Sequence, residues 1–378
     1  MRLGYVPRVA ALYAAVFLFN GIAMPFFPVW LGAKGLDPAL MGLTLAIPMF
    51  ARVLSVPLAA RAADRHDAVR AWIMLAAWGN VAGNVLVGFS SGGVLIVASY
   101  ALASFIYTPL LPLTDAYALK GLAERGRAFG PVRLWGSVAF IAGNFLGGFF
   151  VDAIPAVDLI WPIVASVALL ALAASMLHPQ SMPKADPAVP AAPLWRDVRF
   201  MAIVIGASLI QASHSIYYIF SALQWRSEGL SGSAVAALWS LGVVAEIGLF
   251  AVSGRLKLSP TVLILIGAGG AALRWGGMAL DAPVFALPFL QMLHALSFGA
   301  TYLGALAYVA GRAGAGQAAT AQGYLAIAAS AAGGTAAALS GVLYSNFGSG
   351  SYAFMALAAL AGGACALIAR RRAPVALV

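Results

Sequence analysis

Glu246 is a carboxylate near the middle of an apolar run, Leu230–Leu256, long enough to cross a bilayer as one helix. A charge at that depth costs about 2.5–3.5 kcal/mol on insertion scales. It therefore faces a polar interior, meets a partner or exchanges a proton. Two further apolar runs in the same half carry candidate partners, Arg274 and His294. Contact with a guanidinium favours the ionised carboxylate, and loss of that contact favours the protonated one. An imidazole nearby positions such a pair or relays its proton. Glu246, Arg274 and His294 are thus a candidate proton-coupling set. The plain alternative is that His294 is a satisfied core residue and that Glu246 only neutralises Arg274.

Other polar side chains fall inside apolar runs. Asp115 closes the fourth run and Arg133 opens the fifth, where a helical hairpin brings them close. The pair either holds a substrate or neutralises two buried charges, and both readings stand. Arg52 has no carboxylate in its own run, so it faces a water-filled cavity or reaches for head groups. With Asp115, Arg133 and Arg52, the residues assigned to substrate binding are Asn20, His214, Tyr217, Trp239 and Gln291. The aromatic rings near mid-run are candidates to stack a ring, and the guanidiniums to hold a carboxylate bidentately.

The elements that must position these groups are membrane spans. The chain has 378 residues, 62% of them hydrophobic and 9% charged, against roughly 25% charged in a soluble domain. Twelve spans can be drawn, roughly 9–31, 39–60, 71–89, 93–118, 131–151, 157–177, 199–224, 233–254, 260–280, 284–310, 319–345 and 351–369. The first is too long for a signal peptide. Five prolines between His178 and Trp195 mark a linker, residues 179–198, between a six-helix bundle over 1–178 and another over 199–378. With the N-terminus in the cytoplasm, the loops on that side hold all the loop Lys and Arg except Lys34 and Arg226. That bias puts both termini inside. A shift of 194 positions, from Asn20 to His214, also sets Arg52 on Glu246 and Asn80 on Arg274. Paired six-helix repeats with a site between them at mid-membrane are a transporter design.

The loop Ala60-Arg61-Ala62-Ala63-Asp64-Arg65-His66-Asp67-Ala68-Val69-Arg70 resembles the Gly-x-x-x-Asp-Arg-x-Gly-Arg-(Arg/Lys) loop of the major facilitator superfamily. Ala60 stands for the first Gly and Asp67 for the second. The resemblance implies that Asp64, Arg65 and Arg70 form a conformational loop; the alternative is a basic loop that only anchors topology. Four further segments look like the phenylpropionate permease group: Pro25-Phe26-Phe27-Pro28-Val29-Trp30-Leu31, Pro109 to Asp115, Phe129 to Ser137, and Gln291 to Gly299. That group is similar to lactose permease and the nucleoside–proton symporters. Glu246, Arg274 and His294 look like the carboxylate, arginine and histidine that lactose permease carries on the same spans for proton coupling. The resemblance implies an all-α membrane protein of twelve transmembrane helices in two six-helix pseudo-repeats, the major facilitator fold.

Other classes are weaker. The net charge of +10 does not form a nucleic-acid patch, because the basic residues sit in short loops. Gly229-Leu230-Ser231-Gly232 and Gly88-Phe89-Ser90-Ser91-Gly92 match serine-enzyme patterns, but in Gly/Ser-rich span ends where chance matches are common. No phosphate-binding Gly-x-x-x-x-Gly-Lys-(Ser/Thr) is present, and every lysine lies in a loop, which excludes a retinal linkage. Cys365 is the only cysteine. The expectation is a monomeric proton-coupled importer of the inner (plasma) membrane, not an enzyme, without cofactor or metal. Its partners are protons, the lipid bilayer and a small organic solute, most simply an aromatic carboxylate. A sugar, a nucleoside, or export of a drug or metabolite are the alternatives.

Overall fold

A computed structural model describes residues 4–180, 194–255, 257–313 and 317–371. Most of the expected linker over 179–198 lies outside the described residues, as do Arg2, Lys184 and Arg372. Among the described residues every regular element is helical. Eleven stretches are long and apolar enough to cross a membrane, and the longest, Thr320–Arg370, is two helices hinged at Gly348 (φ 53°), which makes twelve. They are α1 Tyr5–Ala33, α2 Pro38–Arg65, α3 Val69–Phe89, α4 Gly93–Ala123, α5 Phe129–Ala153, α6 Ala156–Ser175, α7 Val198–Ser227, α8 Gly232–Ser253, α9 Pro260–Ala279, α10 Val284–Arg312, α11 Ala318–Phe347 and α12 Tyr352–Arg371.

Local chemistry sets the ends. Asp37 caps α2 by accepting from Leu40 N at 2.8 Å, with Pro38 at the first helical position; Ser259 and Pro260 do the same for α9. The Ala60–Arg70 loop is shorter than its motif suggests. Arg61 to Arg65 stay helical, as alanine-rich sequence favours, and the turn is left to His66, Asp67 and Ala68. Asp67 adopts φ 48°, the left-handed conformation glycine accommodates best, at the position where the superfamily motif has its second Gly.

The chain divides into two compact units. One holds α1–α6 together with Tyr218–Ser240, the last part of α7 and the first part of α8; the other holds α7 as far as Tyr217 and the chain from Leu241 on. Within the first unit α1 packs most extensively on α5. A Cβ at Gly143 would sit on the Leu18 carbonyl oxygen, so the two backbones touch only because both Gly21 and Gly143 lack side chains. In the second unit α12 packs on α7 and α9, and α9 on α10.

Three spans are interrupted. α4 breaks at Thr108–Pro109, where Ser55 Oγ and Thr108 Oγ share a 2.5 Å hydrogen bond. α7 breaks at Ser213–His214, and α10 passes through a π-helical segment, Ala295–Ala300. Breaks of this kind inside a bilayer are tolerated where polar neighbours satisfy the freed backbone groups, and π segments recur at functional sites.

Candidate functional site

The second unit gathers Glu246, Arg274, His294, His214, Tyr217 and Gln291 into one largely buried network. Arg274, on α9, is fully buried, and tyrosine and tryptophan rings cover its guanidinium: Cζ lies 4.5 Å from the centroids of both Tyr217 and Trp275. Its Nη2 donates to Gln291 Oε1 at 2.5 Å, and its Nη1 to Ser297 Oγ at 3.4 Å. Nη1 also lies 3.0 Å from His294 Nδ1, and His294 Nε2 lies 3.3 Å from Glu246 Oε2. Glu246 reaches this position from α8, where its Cγ packs over Gly299 of the π segment.

Arginine only donates, and this orients His294. His294 Nδ1 must accept from Arg274, so the ring proton sits on Nε2 and points at the Glu246 carboxylate. The carbonyls of Ile210 and Gln211, 3.2 and 3.1 Å from His214 Nδ1, only accept, so Nδ1 carries a hydrogen, and Nε2 of the neutral ring accepts from the Ser297 hydroxyl, 3.1 Å away. These carbonyls belong to the last turn before the break in α7, which is why a histidine there is satisfied. Gln211 Nε2 donates to the Phe298 carbonyl at 3.3 Å and ties the π segment to α7. Phe298 stacks on the His294 ring at 5.1 Å. Gln291 Nε2 is buried without a hydrogen-bond partner among the described residues, a donor that a bound solute can satisfy.

Of the two roles open to His294, positioning the pair or relaying its proton, the order of contact matches the second geometrically: the imidazole lies in line between Arg274 and Glu246. A proton can enter on Nδ1 only after Arg274 releases it, because two N–H groups would otherwise face each other. Ser297 escaped the sequence reading. Its signal was the polar spacing 291, 294, 297 inside an apolar span, blurred by the π insertion.

The first unit holds a sparser set. Tyr13 donates to Asp115 Oδ1 at 2.5 Å. Arg133 lies over Phe17, 4.0 Å from its centroid, and 5.3 Å from that of Tyr13. The hairpin of α4 and α5 does not join Asp115 to Arg133 in an ion pair; Tyr13 is engaged with both. Asn20 accepts from the Tyr107 hydroxyl at 3.4 Å. Arg52 is exposed, and neither it nor Arg133 has a carboxylate partner among the described residues. Trp239 packs with Tyr218 at 5.8 Å, within this unit. Of the loop residues, Arg70 donates to the carbonyls of Leu177 at 2.6 Å and Ser175 at 3.3 Å, at the end of α6, while Asp64 and Arg65 are exposed in the last turn of α2.

Twelve spans, paired polar sets at mid-span and interrupted helices define a membrane transporter. A family model described as the MFS_1-like family matches residues 7–356, and the chain belongs to that family of major facilitator secondary transporters. It is 34% identical over 360 residues, 92% of this chain and 93% of the relative, to a "Probable 3-phenylpropionic acid transporter" of Escherichia coli K12. It is 25% identical to the maltose permease of Geobacillus stearothermophilus, over 78% of this chain and 76% of that one. The crystal structure of the nucleoside transporter NupG superposes with a TM-score of 0.81 at 15% identity, covering 98% of this chain and 100% of that chain. The protein is a multi-pass membrane transporter and not an enzyme.

Proposed function

We propose that the protein is a proton-coupled importer of a small aromatic carboxylate of the phenylpropionate class, working by alternating access. The observation that carries this reading is the pairing of two guanidiniums, Arg52 and Arg133, that lack carboxylate partners among the described residues with the identity to a phenylpropionic acid transporter. A guanidinium binds a carboxylate bidentately, and Phe17 and Tyr13 beside Arg133 suit an aromatic ring. Asn20, His214, Tyr217, Trp239 and Gln291 are assigned to the substrate, and Asp115 belongs to the site through its neighbours Tyr13 and Arg133. Glu246, His294 and Arg274 carry the proton, and Asp64, Arg65 and Arg70 form the conformational loop. The chain works as a monomer, as two six-helix halves over 1–178 and 199–378, in the inner membrane with both termini in the cytoplasm. The Lys/Arg bias of the loops supports that orientation.

The test is uptake of labelled 3-phenylpropionate, maltose and uridine into proteoliposomes. An inward proton gradient drives one acid anion with one proton, an electroneutral load, so a membrane potential adds nothing. A neutral sugar or nucleoside with one proton carries a positive charge, and 100 mV adds about 2.3 kcal/mol. Accumulation of the acid, indifferent to potential, is expected. Potential-sensitive accumulation of maltose or uridine, without the acid, refutes the assignment.

A further inference from the structure

The Tyr13 hydroxyl, 2.5 Å from Asp115 Oδ1, supplies that carboxylate's only hydrogen bond or ion pair among the described residues. The tyrosine is fully buried, and Phe129 meets its ring edge-on at 5.9 Å, which fixes it. Its ring lies near the Arg133 guanidinium, and Phe17, one turn along α1, covers the same cation. Arg133 carries five N–H donors, and none reaches a protein acceptor among the described residues. A carboxylate and a guanidinium on neighbouring helices attract each other, so their separation needs a cause. Tyr13 supplies it twice: a short charge-assisted bond holds the anion, and the ring attracts the cation.

We propose that Tyr13 is a specificity-determining residue: it parks Asp115 away from Arg133 and so reserves Arg133 for the carboxylate of an organic acid. The inference rests on the aromatic-carboxylate reading given under the proposed function. Freed from Tyr13, Asp115 closes on Arg133 and competes with the substrate from within the chain, at a local concentration that a dissolved acid does not match. Selectivity follows from the same geometry. An acid gains a charged, two-pronged bond to Arg133, whereas an amide of the same shape gains only neutral bonds.

The protein in nanodiscs is titrated with 3-phenylpropionate and with 3-phenylpropionamide. Tyr13→Phe keeps the ring and removes the hydroxyl. It is expected to weaken the acid about 10- to 100-fold, the loss of one bond to a charged group, and to weaken the amide less. Asp115→Asn added to Tyr13→Phe is expected to restore the acid. Unweakened binding in Tyr13→Phe, or a double variant as weak as the single, overturns the proposal. A second arm needs no substrate: thermal unfolding of Asp115→Asn, Arg133→Gln and their combination, in the wild-type and Tyr13→Phe backgrounds. Weak coupling in the wild type and stronger coupling in Tyr13→Phe are expected, and equal coupling in both overturns the proposal. If the wild type binds no 3-phenylpropionate, the substrate reading fails alone, and the unfolding cycle decides the role of Tyr13.

Discussion

Glu246→Gln separates a proton carrier from a counter-charge. The exchange keeps shape and keeps an acceptor, because a glutamine oxygen can receive His294 Nε2–H across the same 3.3 Å. A hydrogen bond to a charged group, about 1.5–3 kcal/mol, falls to about 1 kcal/mol. Arg274 loses a negative charge across the imidazole but keeps Gln291, Ser297, His294 and two ring faces. The net destabilisation is about 1–2 kcal/mol, short of the 3–5 kcal/mol of a buried charge left alone, so the variant is expected to fold and insert. Its transport is expected to split. A gradient of about one pH unit supplies about 1.4 kcal/mol per proton, hence about tenfold accumulation for a one-proton symporter. Wild-type proteoliposomes should approach that ratio, and Glu246→Gln should stop at equal concentrations while counterflow of labelled substrate continues. Undiminished gradient-driven accumulation removes Glu246 from coupling. Loss of both activities with poor insertion leaves it as a partner for Arg274 and nothing more.

Gly143→Val drives a side chain into the Leu18 carbonyl and Gly21 Cα of α1; a loss of about 3 kcal/mol or more is expected, read as a lowered Tm in detergent, and an unchanged Tm contradicts the close approach. Asp197, ahead of α7, is opposed by partial burial, but its bond from Arg312 and the N–H groups of Phe200 and Arg199 prevail and hold its pKa below the ordinary aspartate value. Its stabilising contribution is therefore present above the unfolded pKa of about 3.9 and is lost as pH falls through the lower folded value. The Tm gap between wild type and Asp197→Asn should narrow below about pH 4, and a constant gap refutes the linkage.

Much of this was legible because a bilayer makes polar residues conspicuous. Glu246, Arg274 and His294 stand out in apolar runs, and the structure brings them together with His214, Tyr217 and Gln291. Glycines four apart at 143 and 147 permit close helix contact, and α1 meets α5 there. The order of contact was not legible, because it depends on helix rotation and on a π insertion that a 3.6-residue period does not reveal. Ser297 enters the network through that insertion. Asp115 and Arg133 were legible as charges, but their separation depends on Tyr13, one aromatic among many in α1. Trp239 has the right composition for a mid-span ring, yet it packs with Tyr218 in the other unit.

The two polar sets differ in what they leave open, and the difference bears on coupling. In the second unit a donor-only arginine orients His294, and two backbone carbonyls orient His214 and with it Ser297, while the Gln291 amide is, among the described residues, an unmatched donor. Protonating His294 at Nδ1 opposes Arg274, so on the proposed mechanism a proton enters only when the guanidinium moves. That condition suppresses a leak, since thermal motion must break several bonds to Arg274 at once and expose a buried cation. In the first unit Arg133 has donors and no acceptor, so an anion there breaks no existing hydrogen bond of that guanidinium. A solute that supplies a carboxylate to the first set gives that guanidinium its counter-ion. A neutral sugar or nucleoside offers acceptors but no charge, and it leaves the Arg133 guanidinium without a counter-ion.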